Sequence, residues 1–169
     1  MNLKNPFNNK KKSISYLLKN GKFINLKEKK IEDKDLLLEN KKIKQIKTGI
    51  NITSKDVEVI DCSGLMIAPG LVDMRVNIGE PGSEHKETIK SVSMSAASGG
   101  ITSLICMPNT SPPIDQPAII QSIQRKAREV ALSKFYCTGC ITRGAIGKEI
   151  CELQLMKESG ALGLSLIHI

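Results

Sequence analysis

An α/β fold with a parallel sheet, preceded by a small β unit, is what the sequence predicts, and three observations lead to it. Apolar runs of strand length begin near residues 71, 101, 135 and 161, about 30 residues apart, the length of a strand–helix–strand repeat with right-handed crossovers. Between these runs the apolar period lengthens to that of a helix, and each helical stretch stops at glycine, at Gly99-Gly100 and Gly160. Before residue 68 there are only short apolar runs with turn residues between them.

The elements follow in order. Residues 1–14 carry a Lys run and few apolar side chains, too little to repay the entropy of ordering, and are expected to be a disordered basic tail. From 15 to 67 a small antiparallel β unit is predicted. Tyr16-Leu17-Leu18 and Phe23-Ile24 flank Asn20-Gly21, a hairpin signal because both residues tolerate positive φ. Leu36–Leu38, Ile43–Ile46 and Val57–Ile60 supply further strands.

Pro69-Gly70 opens the parallel part, and Leu71 to Ile78 reads as a continuous apolar, buried strand ending at Pro81-Gly82. A helix over His85–Ser98 would bury Ile89, Val92 and Ala96. The strand Ile101–Met107 is closed by Pro108, and Asp115 and Pro117 mark the start of a helix with Ile120, Ile123, Ala127 and Val130 as its buried stripe. A strand over Phe135–Ile141 and a helix over Lys148–Ser159 complete the third cycle. Periodicity alone leaves a doubly wound sheet open, although the first strand–helix junction lacks the Gly-x-Gly-x-x-Gly phosphate loop.

Composition narrows the function classes. The 169 residues are 40% hydrophobic and 25% charged, as in globular proteins. No apolar run approaches the roughly 18 residues that cross a bilayer, and the N-terminus lacks the apolar core of a signal peptide. A cytoplasmic location, no membrane partner and five reduced cysteines are the expectation. The net charge of +8 is N-terminal: residues 1–60 hold 15 Lys against seven acidic residues, while residues 61–169 balance ten against ten. Aromatics make up only 3% and Trp is absent, which argues against nucleic acid as a partner and for a solvated Lys-rich face.

Four stretches carry a family resemblance. Ala68-Pro69-Gly70-Leu71-Val72-Asp73-Met74, the run Glu80-Pro81-Gly82-Ser83-Glu84-His85-Lys86-Glu87-Thr88-Ile89, Met107-Pro108-Asn109-Thr110-Ser111-Pro112-Pro113-Ile114-Asp115 and Gly144-Ala145-Ile146-Gly147 together resemble the front of a dihydroorotase, a cyclic amidohydrolase. The resemblance covers about residues 16–163. It implies the N-terminal part of a (β/α)8 TIM-type barrel preceded by half of a small β-sandwich domain, and hence a truncated chain. The implied division is 15–67 for the β domain and 68–163 for three barrel units. Leu164 to Ile169 departs from the family's continuation and reads as an adapter-derived artefact, which removes His168 from the candidate ligands.

The resemblance also fixes which residues should carry chemistry. Active relatives use zinc, held by two His of the first strand at alternate positions, and the metal-bound hydroxide opens the ring amide of dihydroorotate. Those positions are Arg75 and Asn77 here. A guanidinium has no lone pair to donate and stays charged, and a neutral amide oxygen is a poor substitute for imidazole. The position of the arginine that clamps the substrate carboxylate is Gly79. Asn109 matches a substrate-contacting asparagine, with turn formation as its plainer role. No catalytic residue, metal ligand or cofactor is therefore expected within this stretch.

Other polar groups read as structural: Glu84, His85 and Glu87 as capping at a surface helix, Cys137 and Cys140 as buried thiols facing opposite sides of a strand, and Arg143 and Lys148 as surface charge. The resemblance implies pyrimidine biosynthesis, with an oligomer when full length. The residue pattern points to a catalytically impaired relative acting as structural partner of aspartate transcarbamoylase. The alternatives are an active dihydroorotase using distal metal ligands, or a hydantoinase- or allantoinase-like amidohydrolase.

Overall fold

The structure, a computed structural model, describes residues 15–54 and 56–165. The expected basic tail at 1–14 and His168 lie outside the described residues. The chain divides after Pro69 into two compact units.

The first unit is a five-stranded sheet of β1 (Ser15–Asn25), β2 (Lys30–Glu39), β3 (Lys42–Lys47), β4 (Val57–Asp61) and β5 (Met66–Ile67), in the order β3-β2-β1-β4 with β5 also on β1. The first three are antiparallel, but β4 and β5 run parallel to β1. The sheet is thus mixed rather than antiparallel. The hairpin expected at Asn20-Gly21 is absent as well: β1 runs through it, and its pairing to β2 shifts register between Leu18 and Gly21. Asn20 does take a positive φ of 61°, but in a bulge rather than a chain reversal.

The bulge is held from two sides. The Asn20 backbone N–H donates to Asp35 Oδ1 at 2.9 Å and its side-chain amide to Asp61 Oδ1 at 3.0 Å. Gly21 has no room for a side chain, since a Cβ there would sit 2.4 Å from Ile67 Cδ1. The true two-residue hairpin is Asn40-Lys41, both at positive φ, between β2 and β3. Leu17, Leu37 and Ile50 form one buried cluster, and Leu36, Cys62 and Ile67 form another.

The second unit is a parallel sheet in the order β6-β7-β8-β9, made of β6 (Leu71–Val76), β7 (Ile101–Cys106), β8 (Lys134–Cys140) and β9 (Ala161–Ser165). Helices α1 (Ile89–Ser98), α2 (Pro117–Val130) and α3 (Leu153–Glu158) form the crossovers. Ile89 and Val92 of α1, Ile120 and Ile123 of α2 and Met156 of α3 share one buried cluster with Cys106 and Cys137. All three helices therefore cover the same face, as in a barrel wall, whereas a doubly wound sheet carries helices on both faces.

Several predicted elements are shorter than their periodicity implied. The first helix begins at Ile89 rather than His85, because Thr88 caps it: the Thr88 hydroxyl accepts from Ser91 N at 3.1 Å, and Ser91 Oγ accepts from Thr88 N. The third begins at Leu153 rather than Lys148. The preceding residues are held by a bridge between Thr142 and Ile150 and by Cys151 N donating to Ile141 O at 2.9 Å. Strand β6 stops at Val76 and is not buried: Leu71 is 62% and Met74 72% exposed, because β6 is an edge strand among the described residues. Leu164 and Ser165 form the end of β9, opposite Gly139 and Cys140.

Candidate functional site at the strand exits

Parallel sheets deliver polar groups at the C-terminal ends of their strands. The exits of β6, β7 and β8 are here tied to one another by hydrogen bonds. Met107 N donates to Val76 O at 2.9 Å, Ser111 N to Pro81 O at 3.0 Å and Cys140 N to Ile114 O at 2.7 Å. Asp115 Oδ2 accepts from Gly144 N at 2.8 Å, which joins the second exit loop to the third. Asp115 was legible only as a helix start, and its bridging role left no signal in the sequence.

The first exit loop is pinned to the helix layer by a residue that sequence reasoning passed over. Glu80 Oε2 accepts from Ile89 N, the first N–H of α1, at 2.9 Å, and Glu80 Oε1 lies 3.9 Å from Lys126 Nζ on α2. A carboxylate at a helix N-terminus is favoured by the partial positive charge there. Glu80 and Lys126, with Glu84 and Arg125, line an open cleft of about 420 Å³ whose charges are mixed. Glu84, His85 and Glu87 lie in turns before α1, not on a helix. Glu84 accepts from Gly82 N at 2.9 Å, which holds its carboxyl below the usual range, and the Glu87 carboxylate accepts from the Ser91 hydroxyl.

Of the sequence-predicted positions, Arg75 and Asn77 lie on the sheet face opposite the helices. The neighbouring Val76 and Ile78 both pack into the helix-side core, so by strand alternation Arg75 and Asn77 point the other way. Both are exposed. The pairs Asp73↔Leu104 and Val76↔Cys106 leave Met74 and Arg75 opposite Ile105 alone, a bulge of the kind that re-aims side chains beside sites. Asn109 is exposed in the loop after β7.

Gly79 is enclosed by backbone. A Cβ there would lie 2.4 Å from Glu87 O, 2.5 Å from Ser83 O and 2.9 Å from Glu87 N. The turn at 83–87 has closed onto the position, and it admits no arginine in this conformation.

The cysteines form a separate feature. Cys106, Cys137, Cys140 and Cys151 belong to the same buried cluster. Cys137 and Cys140 thus do not part to opposite sides as strict alternation predicted, because the pairing of β8 to β9 shifts register between Cys137 and Thr138 and a bulge resets the alternation. All five cysteines are free and buried. The Cys137 thiol beside it and burial push Cys106 up, and burial aided by the Asp115 charge pushes Cys140 up to about 11. Thiols raised in this way, as at Cys106 and Cys140, are poor nucleophiles at neutral pH. Arg143 pairs with Glu149 at 3.3 Å, and Lys148 is exposed.

Zinc does not fit the donor set that the described residues present. No group of three or more His, Cys, Asp or Glu converges among them, and the alternate first-strand positions offer a guanidinium and an amide. No helix among the described residues is long and apolar enough to cross a membrane.

Comparison with known proteins agrees with this architecture. A Dihydro-orotase-like family model matches residues 64–166. A dihydroorotase from Caldicellulosiruptor saccharolyticus is 42% identical over 149 residues, covering 88% of this chain and 35% of the relative, and one from Aquifex aeolicus is 39% identical over 152 residues, covering 90% and 36%. The chain thus spans about a third of the length of these relatives. Among solved structures, the L-hydantoinase (dihydropyrimidinase) of Arthrobacter aurescens is 25% identical with a TM-score of 0.76, covering 88% of this chain and 32% of that one. A D-hydantoinase at 24% identity and a TM-score of 0.69, covering 89% and 32%, shares the fold.

Proposed function

The chain belongs to the dihydroorotase-like family, and from that premise we propose that the full protein is a dihydroorotase relative whose first-strand metal site has been given up. It acts on or binds the carbamoyl aspartate/dihydroorotate pair of pyrimidine biosynthesis, with ring opening and closure impaired. The observation that carries this reading is the first strand. Arg75 replaces a lone-pair donor by a fixed cation, Asn77 offers only an amide, and the backbone around Gly79 leaves no room for a carboxylate-clamping arginine.

A barrel that keeps its fold without its metal has a scaffold role open to it, and the partner proposed is aspartate transcarbamoylase, the preceding enzyme of the pathway. The division into a β domain over 15–67 and barrel units over 68–163 belongs to the same proposal, as does a substrate contact at Asn109.

The test is cyclisation of carbamoyl aspartate by the purified full-length protein, with and without added zinc, beside an active homologue. No turnover in either condition is expected. Zinc-dependent turnover would overturn the impairment and favour an active enzyme with distal ligands. Co-purification with the transferase supports the scaffold role, and a transferase equally active and equally assembled without this chain removes it.

A further inference from the structure

The chain has one Asn-Gly pair, Asn20-Gly21, and the structure places it in the β1 bulge. Asparagine is among the chemically labile residues, above all before glycine, which has no side chain to hinder attack by its own backbone nitrogen. In that attack Gly21 N bonds to Asn20 Cγ and gives up its proton, the Cγ–Nδ2 bond breaks, and the nitrogen leaves as ammonia. Water then opens the cyclic imide at one of its two carbonyls, which leaves aspartate or isoaspartate at position 20. Asn20 is exposed, so water reaches it.

The native bulge holds the pair away from the geometry of attack. Ring closure needs Gly21 N turned to the same side of the Cα–C bond as Asn20 Cβ. At a φ of 61° Asn20 is in the left-handed region, where ψ is roughly +30 to +60°, and such a ψ sets Gly21 N opposite Cβ. Three contacts fix this state. Asn20 N–H donates to Asp35 Oδ1 at 2.9 Å, the side-chain amide donates to Asp61 Oδ1 at 3.0 Å, and Gly21 is buried against Ile67 and Cys62.

The same contacts are vulnerable to the product. Asp61 also accepts from Ser63 N at 3.1 Å and Ser63 Oγ at 2.7 Å, and the Ser63 and Asn20 bonds hold its carboxyl below the usual aspartate range. A carboxylate at position 20 replaces the amide donor by a like charge. Aspartate tolerates the left-handed backbone as asparagine does, so the charge is what changes.

We propose that Asn20 is a deamidation site gated by the β1 bulge: the bonds to Asp35 and Asp61 keep Gly21 N from its amide carbon, and loss of the amide sets a like charge against Asp61 and unfastens the bulge. The proposal is independent of the reading of the metal positions.

The experiment incubates the full-length protein at neutral pH, folded in buffer and unfolded in urea, and follows deamidation by mass spectrometry of the peptide spanning Asn20. The folded protein should react about tenfold or more slowly, because only an opened bulge can close the ring. Asp61→Ala should speed the folded reaction several-fold and Asp61→Asn less, since its amide oxygen still accepts. Ser63→Ala, which removes another partner of Asp61, should leave the rate unchanged. For the product, Asn20→Asp should lower the urea midpoint, and Asn20→Asp combined with Asp61→Asn should recover most of the loss, with donor and acceptor exchanged.

Equal rates in the folded and unfolded protein, a folded rate that Asp61→Ala does not raise, or Ser63→Ala as fast as Asp61→Ala would each overturn the proposal. So would an Asn20→Asp midpoint equal to wild type, or a double variant no more stable than Asn20→Asp alone.

Discussion

Replacing Gly79 by alanine should destabilise the protein by about 2–4 kcal/mol, although only one methyl group is added. The added Cβ would fall 2.4 and 2.5 Å from two carbonyl oxygens of the 83–87 turn, whereas a carbon rests about 3.3–3.6 Å from a carbonyl oxygen. The turn must therefore retreat by roughly an ångström, an overpacking that costs about 1–3 kcal/mol. The same retreat strains the bond from Ser83 N to Gly79 O, now 2.6 Å, worth about 0.5–1.5 kcal/mol. Gly99→Ala supplies the control: the nearest atom to a Cβ there is Ala96 O at 3.5 Å, φ is −88°, and alanine should stabilise by about 0.4–1 kcal/mol through the unfolded chain. Urea denaturation of the two variants beside wild type reads both effects as opposite shifts of the midpoint. A Gly79→Ala midpoint equal to wild type, with Gly99→Ala shifted upward, refutes the reasoning, because the loop would then be open enough to carry a side chain at position 79.

Two further outcomes follow from buried polar groups. Asp35 is 5% exposed and accepts from Asn20 N and Ile50 N at 2.9 and 2.8 Å. Burial alone would raise its carboxyl, yet these bonds and the Lys19 charge hold it below the usual aspartate range. Its contribution is fully present above the unfolded-state value and is lost as pH falls through the lower folded value; wild type should therefore shed more stability than Asp35→Asn on acidification below about pH 4, read by denaturant midpoints across pH. Asp35→Ala at neutral pH should cost about 2–4 kcal/mol by leaving two N–H groups unmet. With all five cysteines buried, the Cys137 thiol and burial raising Cys106, and burial raising Cys140 and Cys151, a disulfide reagent should label the native protein slowly and five thiols rapidly in denaturant; fast native labelling at neutral pH contradicts the packing.

The parallel unit was legible because its signals are local and periodic. Ile89, Val92 and Ala96, and Ile120, Ile123 and Ala127, are buried as their spacing implied, and Pro117 opens α2. What escaped depends on contacts between distant residues. Asn20-Gly21 does carry a positive φ, but whether such a residue reverses a chain or kinks it is decided by Asp35 and Asp61, which no local window contains. The parallel pairing of β4 to β1 is likewise non-local, and the exposure of β6 goes with its having a strand neighbour on one side only among the described residues. At the candidate site, Arg75, Asn77, Gly79 and Asn109 were picked out by motif position alone. Glu80 and Asp115 were not, because their roles are hydrogen bonds to the backbone of other segments and require no particular neighbours in sequence.

The mixed pairing of β1 sets an order of events on the ribosome. β2 follows β1 directly, but the other edge of β1 pairs Ser15 to Val57 and Phe23 to Ile67, so it stays open until those later residues have been synthesised, on the order of seconds at ordinary elongation rates. During that interval a growing polypeptide exposes a strand edge bearing Leu17 and Leu18, a template for pairing with a neighbouring nascent chain. Lys19 and Lys22 sit on that same strand, where a charge discourages such pairing. Charge at those two positions thus works against stray pairing along an edge that synthesis leaves temporarily without its partner.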